Sequence, residues 1–215
     1  MLLALDTASP AVTVALAAGG RVLAERTTVD PRRHGELLAP AIAAVLAEGG
    51  VQRTALARIA VGVGPGPFTG LRVGVVTART LAAALTIPVT GVCTLDLIAL
   101  AAVESDGGLT STFRVVTDAR RKEVHWAEYD SAGGDLRRIS GPYVDRPGDV
   151  AWAGPAVGAG ARLWPEHFPD NRDPQLPSAA AMCRWVDQGC PTLPPDPLYL
   201  RRPDATEPGV RKRVS

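Results

Sequence analysis

Residues Leu3–Leu16 read LALDTASPAVTVAL: an apolar run ending in Asp6, a tight loop Thr7-Ala8-Ser9-Pro10, and an alternating run from Val12 to Ala17. The pattern recurs. Val115–Glu128, VVTDARRKEVHWAE, again gives an apolar strand, an Asp, a tight loop and a Val six residues after the Asp, so Asp6 matches Asp118 and Val12 matches Val124. Two copies of strand, Asp-bearing loop and strand predict a duplicated β-loop-β core whose two loops face one cleft. Ser105-Asp106-Gly107-Gly108 marks the boundary between the copies. The expected organisation is a first subdomain over 1–107, a smaller second one over 108–200 and a flexible tail over 201–215.

Working outward, Leu2–Leu5 fits a buried first strand, and Gly19-Gly20 turns the second strand into a third over Val22–Thr28. A helix follows from His34 to Glu48, with Leu38, Ile42 and Val45 on one face and Leu37, Ala41 and Ala44 on another. Both faces are apolar, which reserves one for a partner; Pro40 predicts a kink or a later start. Arg58–Gly64 is a strand feeding the stiff turn Gly64-Pro65-Gly66-Pro67-Phe68, after which Thr69 is placed to cap a helix running to Leu85. Gly70, Gly74, Ala78 and Ala82 recur every four residues along that helix. A glycine inside a helix costs roughly 1 kcal/mol against alanine, so the stripe implies close approach of another backbone. The turn fits two roles, a phosphate cradle at a helix N-terminus or a corner presenting a docking helix. Val89–Val92 reads as a strand and Thr94–Glu104 as a helix. Phe113–Thr117 and Val124–Tyr129 are strands joined by Asp118-Ala119-Arg120-Arg121, and the remainder is loop-rich with one helix near Ser178–Gln188.

Composition narrows the chemistry. The formal charge of the 215 residues is +1, which excludes a global nucleic-acid footprint. Cys93, Cys183 and Cys190 are odd in number without CxxC spacing, fitting reduced structural thiols. His34, His125 and His167 form no HxxxH or HExxH pair, so no metal site is expected, and no GxSxG nucleophile elbow occurs. The opening apolar run stops at Asp6, and Pro88, Gly91 and Asp96 break the low-charge region Leu81–Val103; a cytoplasmic protein with no membrane segment is expected. Arg201, Arg202, Arg211, Lys212 and Arg213 in the tail suit, at most, a weak RNA contact.

Duplicated strand-Asp-loop-strand halves resemble the α/β actin-like ATPase and sugar-kinase architecture, two subdomains of mixed sheet with flanking helices. In that architecture the loops hold phosphate and magnesium and carry a glycine shortly after the Asp. Neither loop here has it. Asp6, Thr7, Phe68, Thr69, Asp118 and Arg120 therefore outline a vestigial cleft; the alternative is a small actin-like phosphotransferase with Asp6 and Asp118 around magnesium-ATP.

LLALDTAS, His34-Gly35-Glu36-Leu37-Leu38-Ala39-Pro40, GVGPGPFTGLRVG, TDARRKEVHWAEY and Pro197-Leu198-Tyr199-Leu200-Arg201 together resemble the TsaB (YeaZ) family. That family is the non-catalytic dimerisation subunit of the bacterial machinery for threonylcarbamoyladenosine modification beside the tRNA anticodon. The resemblance implies a scaffold, not an enzyme, that binds and activates a catalytic TsaD-type paralogue, with a TsaE-type ATPase and tRNA joining the complex. It also implies a homodimer when alone, no cofactor of its own, and ATP or ADP at the interface with the catalytic partner. The implied interface is His34, Leu37, Leu38, Ala41, Val45, Gly70, Val73, Gly74, Thr77, Ala78 and Leu81. Gly35 and Pro67 stand where the family often has Ser.

Overall fold

The computed structural model describes residues 1–105 and 108–201. β1 (Leu2–Asp6), β2 (Ala11–Ala18) and β3 (Arg21–Val29) form an antiparallel meander; β4 (Arg58–Gly62) and β5 (Val89–Val92) add in parallel beyond β1, giving the order β3-β2-β1-β4-β5. β1 is buried along its whole length, hence its uninterrupted apolar run. Further along the chain, β6 (Phe113–Asp118), β7 (Val124–Asp130) and β8 (Arg137–Asp145) form a second meander, and β9 (Ala156–Val157) and β10 (Asn171–Arg172) extend it in parallel beyond β6. The order β10-β9-β6-β7-β8 repeats that of the first sheet, with β6 in the place of β1. This is the duplicated actin-like α/β fold that the repeat predicts.

The pairing shifts the repeat by one residue. Asp6 stands opposite Thr13 and Asp118 opposite Val124, so Thr13, not Val12, is the counterpart of Val124, and the first loop is one residue longer. The second half is also reduced. Between β3 and β4 the chain forms α1 (His34–Glu48), and between β4 and β5 it forms α2 (Phe68–Leu85). α3 (Thr94–Glu104) follows β5. In the second half a 3-10 turn over Pro147–Val150 replaces the first of these helices, and α4 (Ala159–Leu163), only five residues long, replaces the second. β8, β9, β10 and α4 lie in the stretch that reads as loop-rich: two strands have two residues each, and Gly141-Pro142 interrupts the apolar pattern of the third.

The two halves exchange helices. α3 packs on β6, β7 and β9 of the second sheet, whereas α5 (Ala179–Asp187), capped by Ser178 Oγ accepting from Ala181 N, packs on β1 and β2 of the first. One apolar cluster accordingly joins Leu2, Ala4 and Val92 to Ala181, Met182 and Trp185, and another joins Leu95 and Ile98 to Phe113, Val115 and Tyr129. Beyond α5 the chain stays with the first half: Leu193 and Gly91 exchange backbone bonds of 2.8 Å, and Leu198 N donates to the Val63 carbonyl at 2.8 Å. Residues 108–200 are therefore not one packing unit, because their last helix and strap complete the first sheet's core. The boundary itself, 106–107, lies outside the described residues, as do 202–215 of the expected tail.

A buried polar link fastens α3 to the second sheet. Tyr129 O–H donates to Asp96 Oδ1 at 2.7 Å, and Arg138 Nη1 stands 3.3 Å from the same oxygen. Burial pushes the Asp96 carboxyl above its ordinary range, while Arg138 and the tyrosine bond pull it down. Tyr129→Phe is expected to cost ~1.5–3 kcal/mol in urea unfolding, the value of a hydrogen bond to a charged group. An unchanged midpoint would mean that Asp96 finds another donor.

Candidate functional site

The two Asp-bearing loops meet, but their polar groups are already engaged. Asp6 is fully buried at the end of β1; its Oδ1 accepts from Ala8 N at 2.7 Å and its Oδ2 from Thr94 Oγ1 at 2.7 Å. The carboxylate fills the space over Gly62, where any Cβ would fall upon it. Burial pushes the Asp6 carboxyl up, against the lowering effect of the Thr94 and Ala8 bonds. Thr7 Oγ1 donates to the Gly70 carbonyl at 2.7 Å. Across the cleft Asp118 accepts from Arg120 N at 2.8 Å and pairs with the Arg120 guanidinium at 3.3 Å. Arg120, Arg121 and Lys122 all sit at left-handed φ, 61°, 56° and 59°, a strain of ~1–2 kcal/mol per residue. Ala119 N donates to the Glu123 carbonyl and Glu123 N to the Arg120 carbonyl, each at 3.0 Å, and these bonds hold this tip.

The space between the loops, lined by Ser9, Pro10, Pro65, Pro67, Thr94, Thr117 and Asp118, is about 30 Å³. Small-molecule sites run to ~300–1,000 Å³. The turn's prolines close the mouth, and both carboxylates are bonded to their own loops. These residues do not fit a self-sufficient magnesium-ATP site.

The helices offer a different surface. α1 and α2 lie side by side over the first sheet. Leu38, Ile42 and Val45 of α1, and Leu71, Val75, Ala78 and Ala82 of α2, are buried in the chain's own core. The small-residue stripe is explained from within the chain: a Cβ on Gly70 would stand 2.6 Å from the Thr7 carbonyl oxygen, and one on Gly74 would strike Thr7 Oγ1. The backbone that approaches is the β1–β2 loop, not a second helix. Of the residues expected at an interface, Leu38, Val45, Gly70, Gly74 and Ala78 are thus spent inside the fold. His34 is buried too, with Nε2 2.8 Å from the Ser9 carbonyl oxygen, and ties α1 to the same loop. Leu37, Ala41, Val73, Thr77 and Leu81 are half-buried along the helix pair.

Four features differ from the sequence reading: the exposure of Val76, the cap of α2, the place of Pro40 and the bonding of Arg201. Val76 is 60% exposed on α2 although it was not among the expected interface residues; its place opposite the Gly/Ala stripe on a helical wheel was the available signal. Thr69 does not cap α2, since the helix already starts at Phe68, Pro67 is the N-cap residue and no side chain caps it. Pro40 stays within α1, on its exposed side. Phe68 opens α2 and stacks on Tyr199 of the strap at 4.9 Å, with the Arg72 guanidinium 3.6 Å from its ring centre and Arg72 Nε donating to Tyr199 Oη at 2.8 Å. Arg79 pairs with Asp196 at 2.6 Å, so the strap runs antiparallel along α2. Arg201, assigned to the tail, instead donates to the Ala119 carbonyl at 3.3 Å and pairs with Glu123. α2 has the length and composition of a membrane span, yet its Gly70–Leu71–Gly74–Val75–Ala78 side packs on the sheet.

Comparisons with known proteins agree with this architecture. A family model described as TsaD: tRNA N6-adenosine threonylcarbamoyltransferase matches residues 21–206. An uncharacterized protein of Mycobacterium tuberculosis is 45% identical over 215 residues, covering 95% of this chain and 93% of its own. The tRNA threonylcarbamoyladenosine biosynthesis protein TsaB of Escherichia coli is 31% identical over 220 residues, covering 93% of this chain and 94% of its own. The solved structure of YeaZ from Pseudomonas aeruginosa superposes with a TM-score of 0.77 at 30% identity, over 92% of this chain and 99% of that one. With the motifs, the doubled sheet order and near-full-length relatives in agreement, the chain belongs to the TsaB (YeaZ) family.

Proposed function

We propose that this chain is a scaffold subunit in tRNA threonylcarbamoyladenosine biosynthesis, the process named for its Escherichia coli and Bacillus subtilis relatives. It docks through α1 and α2 on the matching helices of a catalytic TsaD-type paralogue and stabilises that partner's active form, while a TsaE-type ATPase and tRNA join the assembly. On this reading the chain performs no chemistry itself, pairs with a second copy when alone, and meets ATP or ADP only at the shared interface. The observation that carries it is the apolar surface left on two helices that pack side by side, with Val76 60% exposed and Leu37, Ala41, Val73 and Thr77 only partly buried. The closed cleft and engaged carboxylates leave little for an independent phosphotransferase. A standard interface buries roughly 800 Å² per partner, within reach of two such helices.

Reconstituted tRNA modification with and without the chain tests the reading. Val76→Asp places a charge on that surface without touching the core and is expected to weaken pairing with the paralogue at least ~10-fold, with a parallel loss of modification. A variant that pairs and supports modification like the wild type would remove the helix face from the interface. Modification that proceeds equally well without the chain would end the scaffold reading.

A further inference from the structure

At the Phe68 end of the helix surface lies a groove of about 230 Å³ whose lining includes Ser9, Arg32, Gly35, Phe68, Val73 and Arg120. We infer that it receives an acidic segment, one or two carboxylate side chains, of the partner protein that docks on α1 and α2; this rests on the docking reading above.

Three observations support that occupant. The groove is continuous with the docking surface, since Gly35 and Val73 belong to α1 and α2 themselves. Its charge has one sign: Arg32 and Arg120 line it, and no lining residue is acidic. Arg32 makes no ion pair among the described residues; the nearby Asp30 carboxylate is held by the Arg33 guanidinium at 2.8 Å and takes only the backbone N–H of Arg32, at 2.9 Å. Arg120 is half neutralised by Asp118 at 3.3 Å. Finally, the walls are built in advance. The Phe68 ring is held against Tyr199 and Arg72, which also bond each other, and the left-handed Arg120 tip is braced by Arg201. The Arg120 guanidinium on this braced backbone and the unpaired Arg32 guanidinium facing it suit the forked geometry of a carboxylate.

Calorimetric titration of the full chain with its TsaD-type paralogue, at low and high salt, provides the test. Arg32→Glu lies in an exposed turn and should keep the wild-type melting temperature. It is expected to weaken pairing about 5-fold at low salt and much less at high salt, the signature of a lost charge pair at an interface rim. Arg32→Gln should fall between the two. If Arg32→Glu pairs like the wild type at both salts while Val76→Asp does not, the groove inference falls and the helix face stands. If Val76→Asp also pairs normally, the docking reading falls with it. Titration of the free chain with inorganic phosphate, and separately with tRNA, closes the test: Arg32-dependent binding of either, with pairing untouched by Arg32→Glu, would assign the groove to phosphate and overturn the carboxylate occupant.

Discussion

Gly74→Leu is expected to destabilise the fold by ~3 kcal/mol or more, lowering the melting temperature of a chain this size by about 6–12 °C. Gly74 sits in the buried side of α2 where even a Cβ would strike Thr7 Oγ1 and come within 3.5 Å of Leu5 Cδ1. Neither neighbour has room to yield. Thr7 is held by its 2.7 Å bond to the Gly70 carbonyl, and Leu5 lies in the fully buried β1. A leucine there must push α2 off the sheet or break the Thr7 bond, and either disturbs the loop that carries Asp6. The comparison with Val76→Asp is the useful one: two residues apart on one helix, the first substitution should move the urea midpoint and the second should move pairing alone. A Gly74→Leu protein with the wild-type midpoint but no affinity for the paralogue would reverse the assignment and put the small-residue stripe at the partner interface.

That contrast also shows what the sequence could reveal. Spacing of four along α2 told correctly that something comes close to Gly70 and Gly74, because glycine in a helix needs a compensating contact. It could not tell whether that contact is the chain's own Thr7 or another molecule, since periodicity records a face and not its neighbour. The Asp6 and Asp118 loops were legible because each follows a local strand pattern. The exchange of α3 and α5 between the halves was not, because a helix's period does not record which sheet it lands on, and α5 returns to β2 across 166 positions, where Ala179 N donates to Thr13 Oγ1. The strap was visible as Pro197–Arg201 without a location, because an extended segment has no period, and only Leu198 bonding to Val63 and Tyr199 stacking on Phe68 place it beside α2. The missing glycine after Asp6 marked its cleft as vestigial, and the 2.7 Å bond that Asp6 accepts from Ala8 N closes the tight loop in place of a phosphate.

Acid should weaken the fold through His125. The residue sits on β7 opposite Thr117 and Val144, 8% exposed, with Nδ1 unpartnered; burial pushes its imidazole from the ordinary 6.5 down to about 4, against a smaller upward pull from Asp118. As pH falls through 6.5 the unfolded chain takes up a proton on this residue, while the folded chain does not until about 4. The unfolded state binds more protons throughout that window, so stability is lost as pH drops, at roughly 1.4 kcal/mol per pH unit and ~3 kcal/mol in all. Asp6 and Asp96 work in the opposite direction, since burial raises their carboxyls and the folded chain protonates them before the unfolded chain does. Both remain in His125→Leu, so the difference between the two proteins isolates the imidazole. Urea unfolding from pH 7 to pH 4 should show the wild type losing ~3 kcal/mol more than the variant, with the gap opening below 6.5. Parallel pH profiles would mean that His125 titrates in the folded protein as it does in the unfolded chain, and that β6 and β7 admit its charge at no cost.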